Sequence, residues 1–263
     1  MRSVATQSGA LPGDVLQGCP RFVWARLATP DGWHACCLGS RPLHCKSRYS
    51  ETRKFSIEKA KGDRVHMFSG IVEKLGSVRD IQEQPPGVRL TLEVGPMAAE
   101  VAIGESVAIN GCCLTAIESG PDWLVFEAGE ETRARTNLGA LRQNGLVNIE
   151  RSMRLSDRLS GHFVTGHVDA VGTLEERIDD GEWSTCWFQM PQRLASQMAS
   201  KGSVAVDGVS LTLVDVDEKR FSVALIPHTL QVTTLGQLQS GDPVNLETDV
   251  LAKYVQQQLE HRP

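Results

Sequence analysis

From residue 67 onward, apolar and polar positions alternate in short β-branched runs. The first stretch holds IVEKLGSVRDI, VRLTLEV, SVAI, LTAI and WLVFEA; the second holds VTGHVDAVGTL, SVAV, LTLVDV and FSVALI. Gly, Pro, Asp and Asn interrupt these runs at short intervals. Many short strands with regular turn signals predict an all-β sandwich or barrel. Two short helical pieces are expected, at 96-PMAAEVAI-103 and 193-RLASQMAS-200. The C-terminus reads differently: in 250-VLAKYVQQQLE-260, apolar residues at 250, 251, 254, 255 and 259 follow a helical period, and Asp249 is a suitable N-cap.

The pattern occurs twice. FSGIVEKLGSV (68–78) aligns with VTGHVDAVGTL (164–174), ESVAINGCCLT (105–115) with GSVAVDGVSLT (202–212), TRARTNLGAL (132–141) with TLQVTTLGQL (229–238), and VNIE (147–150) with VNLE (244–247). Four blocks in one order at one spacing mark an internal duplication. Each half has the length of a small domain rather than of a solenoid repeat. The copies NGCCLTAI and DGVSLTLV share Gly and Leu-Thr, but Cys112-Cys113 in the first becomes Val209-Ser210 in the second.

Composition narrows the classes. A net charge of −5 gives no electrostatic case for nucleic-acid binding. No apolar run is long enough to span a membrane. The seven cysteines follow no disulfide framework, and the adjacent pairs Cys36-Cys37 and Cys112-Cys113 suit a reduced, cytoplasmic protein. The charge is unevenly spread: residues 1–66 carry +6 and residues 67–263 carry −11. Residues 1–66 show no sustained period, and 27-LATPDGW-33 reads as loop. This extension is expected to lack a fixed fold and to be upstream sequence from a misplaced start, with a transit peptide and a genuine accessory segment as the competing readings. Five acidic residues argue against a transit peptide, and Cys19, Cys36, Cys37, His44 and Cys45 lack the paired spacing of a zinc site.

MFSGIVE (67–73), NGCCLT, ETRARTNLG, GHFVTGHVD (161–169), VDGVSLTLV, LIPHT and VNLETDVLAKYV resemble riboflavin synthase, in order and over essentially all of 67–258. The resemblance implies two tandem six-stranded Greek-key β-barrels and a C-terminal helix. The expected boundaries are 67–161, 162–249 and 250–263. It implies dismutation of two molecules of 6,7-dimethyl-8-ribityllumazine: a four-carbon unit passes between them, giving riboflavin and 5-amino-6-ribitylamino-uracil. No cofactor or metal is implied. The implied assembly is a homotrimer, its site lying between the N-barrel of one subunit and the C-barrel of the next, with lumazine synthase as a further partner. Such a reaction suits a duplicated chain, because two copies of one substrate need two similar pockets. Holding both rings in place can contribute roughly 7–11 kcal/mol.

Carried over by position, the first pocket is expected to use Gly70, Ile71, Val72, Cys113, Leu114, Thr115 and the stretch Glu127, Ala128, Gly129, Glu130, Glu131 and Thr132. The second is expected to use Gly166, His167, Val168, Lys201, Ser210, Leu211, Thr212, Ile226, Pro227, His228, Thr229, Leu230 and Gln231. Leu-Thr offers an apolar face and edge hydrogen bonds to a flat heterocycle, though Leu is equally at home in a strand core. Cys113 is a candidate nucleophile or polar contact, against the plainer reading of a small buried hydrophobe. Cys112 should point the opposite way and pack. Ser210 is expected to position water or assist proton transfer, against the plainer reading of a serine bonded to backbone. His167, at the place of Ile71, is the candidate acid–base group, and His162 reads as structural. Lys201 and Asp207 replace Gly104 and Asn110 and are expected to pair and orient Ser210 or the substrate, or to form a plain surface ion pair. His167, Ser210 and Lys201 are expected to serve one substrate and Cys113 the other. His228 stands where many members have Glu; either can bond a ribityl hydroxyl. Two alternatives compete. A lumazine-carrying antenna protein of the same fold should lose the polar set retained here. A flavin oxidoreductase module should bring a G-x-G-x-x-G element, which is absent from this sequence.

Overall fold

Twelve of the strands close into two barrels with one strand order. The computed structural model describes residues 67–260, together with the backbone of a hairpin formed by β1 (Ala25–Thr29) and β2 (Gly32–Cys36). That hairpin, in register from Ala25↔Cys36 to Thr29↔Gly32, corrects the loop reading of 27–33. A Pro-Asp-Gly sequence is as compatible with a hairpin as with a loop. The other expectations for 1–66 rest on residues outside those described, Cys19, Cys37, His44 and Cys45 among them.

The first barrel comprises β3 (Lys74–Gln84), β4 (Gly87–Glu93), β5 (Ser106–Ile109), β6 (Cys112–Ser119), β7 (Trp123–Gly129) and β8 (Leu146–Arg151), in the order β3-β4-β7-β6-β5-β8. The second comprises β9 (Ala170–Asp180), β10 (Trp183–Gln189), β11 (Ser203–Val206), β12 (Val209–Val216), β13 (Arg220–Leu225) and β14 (Pro243–Thr248), in the equivalent order β9-β10-β13-β12-β11-β14. Closure removes the free edges that short antiparallel strands would otherwise expose. Alternate residues fill each interior, as β4 shows with buried Val88, Leu90 and Leu92. Phe126, Ile109 and Ile149 complete the first core. Phe188 and Phe221 stack at 5.5 Å between ring centres in the second. Each such side chain stabilises the fold by roughly 1.5–3 kcal/mol on burial.

The expected helical pieces are 3₁₀ turns, Gly95–Glu100 and Gln192–Gln197. Single-turn helices α1 (Glu130–Arg135) and α2 (Pro227–Val232) follow β7 and β13. The C-terminal helix α3 spans Val250–Glu260, and Asp249 Oδ1 accepts the Leu251 N–H at 2.9 Å, so the expected cap forms. Its apolar residues Leu251, Tyr254, Val255 and Leu259 are all exposed in the single chain.

The two barrels meet about a local two-fold relation. The tips of the β5–β6 and β11–β12 hairpins, Asn110-Gly111 and Asp207-Gly208, face each other. All four residues have positive φ, the type I′ turn that Asn-Gly and Asp-Gly favour. The approach is so close that a Cβ on Gly111 would stand 2.6 Å from Gly208 N. Around the tips lies a buried polar network. Asn137 Nδ2 donates to Asp207 Oδ1 (2.8 Å), the Asn245 N–H donates to the same oxygen (2.7 Å), and Asn148 Nδ2 donates to the Asp207 carbonyl (2.9 Å). Asn110 Oδ1, the counterpart, accepts from the Asn148 N–H at 2.8 Å.

Candidate active site

Each repeat begins with an arm that runs against the other barrel before the chain enters its own. Phe68 and Val164 pair as an antiparallel bridge, each N–H donating to the other's carbonyl at 2.8 and 3.1 Å. They pack with Ala108 and Ala205 in a small apolar cluster between the barrels, and Cys113 lies against it. Beyond the bridge the arms diverge. The Gly70 carbonyl accepts the Ser210 N–H (2.7 Å), and the Gly166 carbonyl accepts the Cys113 N–H (2.9 Å). Val72 packs on the second core and Val168 on the first.

This regroups the expected pockets. The Gly70–Val72 arm belongs with Ser210, Leu211 and Thr212; the Gly166–Val168 arm belongs with Cys113, Leu114 and Thr115. The two arm glycines have φ of +76° and +78°, and a Cβ on either would stand 2.6 Å from the Cβ of the residue it covers. Only glycine brings the backbone this near.

Two carboxylates hold the arms down. Glu150 accepts from the Ser69 N–H and hydroxyl (2.7 and 2.8 Å) and from the Gly70 N–H (3.0 Å). Glu247 accepts from the Thr165 N–H and hydroxyl (2.6 and 2.7 Å) and from the Gly166 N–H (2.9 Å). Burial outweighs these donors and pushes the Glu150 carboxyl up to about 7; burial likewise raises Glu247. Neither clamp was identified from the sequence, although the repeated V-N-[IL]-E block contains both.

The remaining expected residues fall as follows. In β6, Cys112 is buried in the first core while Cys113 faces the arm, as strand alternation requires. Burial raises both thiols, Cys112 to about 12; for Cys113 a hydrogen bond with the Ser106 side chain opposes this. The β6–β7 register begins at Ala116↔Phe126 and the β12–β13 register at Leu213↔Val223. The Leu-Thr pairs therefore lie just outside those ladders, with the arms alongside. Thr115 and Thr212 are exposed, as are Ile71 and His167 at the arm tips. Glu127, Gly129, Glu130 and Glu131 are exposed with Ala128 buried and Thr132 between; Ile226, His228 and Gln231 are exposed, with Pro227, Thr229 and Leu230 partly covered.

Three expectations change. Asp207 does not pair with exposed Lys201, because it is buried under the hairpin tip, bonded to Asn137 and Asn245. His167 sits on the arm that covers Cys113, so it does not join Ser210. His162, read as structural, is the residue that meets Ser210: its Nδ1 lies 2.7 Å from Ser210 Oγ. Lys201 keeps the left-handed backbone of its counterpart Gly104 (φ +69° and +85°), a conformation a lysine adopts only at a cost. Among the described residues no group of three or more His, Cys, Asp or Glu is placed to hold a metal ion.

Comparison with known proteins bears on the family and the fold. The model of the lumazine binding domain matches twice, over residues 69–152 and 165–249. Riboflavin synthase of Actinobacillus pleuropneumoniae is 38% identical over 199 residues, covering 75% of this chain and 92% of the relative. Riboflavin synthase of Mycobacterium tuberculosis is 43% identical over 195 residues, covering 72% and 96%. The structure of LumP complexed with 6,7-dimethyl-8-(1'-D-ribityl) lumazine superposes with a TM-score of 0.63 at 22% identity, covering 69% of this chain and 98% of that one, a likeness of fold. With both repeats matched and these relatives covered almost end to end, the chain belongs to the riboflavin synthase family.

Proposed function

We propose that the chain is a transferase that makes riboflavin from two molecules of 6,7-dimethyl-8-ribityllumazine, releasing 5-amino-6-ribitylamino-uracil. The observation that carries this reading is the pair of half-sites built on one frame and differing at one central side chain, Cys113 in one and Ser210 in the other. One frame suits two copies of one molecule; two different central groups suit two different fates. Leu-Thr and the covering arm would flank each ring. The stretches Glu127–Thr132 and Ile226–Gln231 would reach the ribityl chains, and Lys201, held in its left-handed turn, would bond a polar edge.

The mechanism we derive is chiefly one of placement. The substrate's 7-methyl group is acidic because its anion delocalises into the ring. The protein must hold that anion against the second ring and match its charge with fixed donors. Cys113 would contact the other lumazine, and its raised thiol favours a neutral contact over an attacking thiolate.

A homotrimer would complete the site by placing the Cys113 half of one subunit against the Ser210 half of the next. The exposed apolar face of α3 supports self-association. We place the enzyme in the cytoplasm, consistent with the free cysteines Cys112, Cys113 and Cys186; lumazine synthase, which would supply the substrate, is its expected partner. The test is to incubate the full chain with the lumazine alone and follow riboflavin absorbance. Riboflavin and the pyrimidine in equal amounts are expected. Tight lumazine binding with no product would make it a carrier protein instead.

A further inference from the structure

Ser210 is met by a side chain from outside its own barrel strands. His162 lies on the segment between β8 and β9, where its backbone N–H donates to the Ser69 carbonyl at 3.2 Å. The preceding Gly161 packs so closely that a Cβ there would stand 2.8 Å from Ser210 Oγ. Backbone contacts therefore fix the imidazole against the serine, with Nδ1 at 2.7 Å from Oγ. The ring is buried, and among the described residues its Nε2 has no partner.

Burial draws the His162 pKa below its ordinary value, against the opposing pull of Asp249. The ring is thus neutral and carries one proton. A buried N–H with no acceptor costs more than an unused lone pair, and orphaned N–H groups are the rarer of the two. The proton therefore belongs on Nδ1, where Ser210 Oγ accepts it, and the unpartnered Nε2 is a lone pair. With one lone pair of Oγ so occupied, the serine hydroxyl proton is directed away from the imidazole.

We propose that His162 is the positioning residue of the Ser210 half-site: its Nδ1–H donates to Ser210 Oγ and turns the serine O–H outward, as the donor that meets negative charge on the bound ring. It follows that the lumazine ionised at its 7-methyl group occupies this half-site. The C–H bond breaks, its electron pair spreads into the ring, the proton passes to solvent water, and Ser210 keeps its own proton throughout. Cys113, bonded to Ser106 and offering only a weak S–H donor, has no such support and suits the neutral partner. The identity of the ligand rests on the riboflavin synthase reading; the hydrogen bond does not.

The test has two parts. In the full chain, ¹⁵N NMR of the His162 ring should show the Nδ1–H tautomer, and Ser210→Ala should shift the Nδ1 signal. In turnover, His162→Ala and Ser210→Ala should each lower kcat by about tenfold to a hundredfold with KM within about threefold. The double variant should be no slower than either alone, and His162→Asn, whose amide N–H can stand near Nδ1, should recover most of the loss. Enzyme-accelerated exchange of the 7-methyl protons into D₂O should fall in parallel. An Nε2–H tautomer, additive losses, or unchanged 7-methyl exchange would overturn the proposal. A wild-type chain that makes no riboflavin yet shows the Nδ1–H tautomer would instead count against the functional reading.

Discussion

The carbonyl of Gly70 accepts the backbone N–H of Ser210 at 2.7 Å, joining the first repeat's arm to the second repeat's half-site. Gly70→Ala is expected to break this contact, since its Cβ would stand 2.6 Å from Ser210 Cβ at a φ of +76°. Such strain costs on the order of 1–3 kcal/mol, and the displaced arm should lower kcat/KM by about a hundredfold. Urea denaturation and steady-state riboflavin formation check both effects. Retained activity would show that the arm does not shape the site.

Glu150 ties that arm with three hydrogen bonds. Glu150→Gln exchanges one acceptor for a donor, which must then face the Gly70 N–H. Faster hydrogen exchange at Gly70, by about tenfold or more, is expected with the rest of the barrel still protected. Unchanged exchange would mean the clamp is unnecessary.

Asp207 gives a prediction in pH. Burial pushes its carboxyl up to about 7, well above the ordinary value of 3.8 that it keeps in an unfolded chain. A raised folded-state value means that the native protein holds the proton longer. Its stability contribution is then full below about 3.8 and is lost as pH rises through about 7. Asp207→Asn reproduces the first repeat, where Asn110 fills the same place. The variant should be more stable than wild type at pH 8, on the order of 2 kcal/mol, with the gain shrinking as pH falls. Urea midpoints at pH 8 and pH 5.5 measure it. A loss at pH 8 would show that Asp207 is needed as a carboxylate.

The α3 face predicts assembly. Leu251→Asp with Val255→Asp should shift sedimentation to monomer and abolish turnover while both barrels stay folded by circular dichroism. An unshifted assembly would place the contact elsewhere.

The barrels were legible because strand alternation and duplication are local signals that a sequence carries directly. The β1–β2 hairpin was missed because Pro-Asp-Gly marks a turn without saying whether strands flank it. The grouping of the half-sites was hidden for a different reason. Aligning the repeats shows that Gly70 corresponds to Gly166, but not that each arm crosses to the other barrel. That exchange moved His167 to Cys113 and left His162 beside Ser210. Asp207 looked available to Lys201 because neighbours in sequence suggest neighbours in space; a hairpin tip turned into the barrel interface separates them.

Mixing two inactive variants tests the central claim most directly. Gly70→Val should disable the Ser210 half-site and Gly166→Val the Cys113 half-site, each leaving the other intact. If one lumazine sits in each and the halves come from neighbouring subunits, unfolding the two variants together and refolding the mixture should restore riboflavin formation that neither shows alone. A folded, assembled mixture that stays inactive would contradict it.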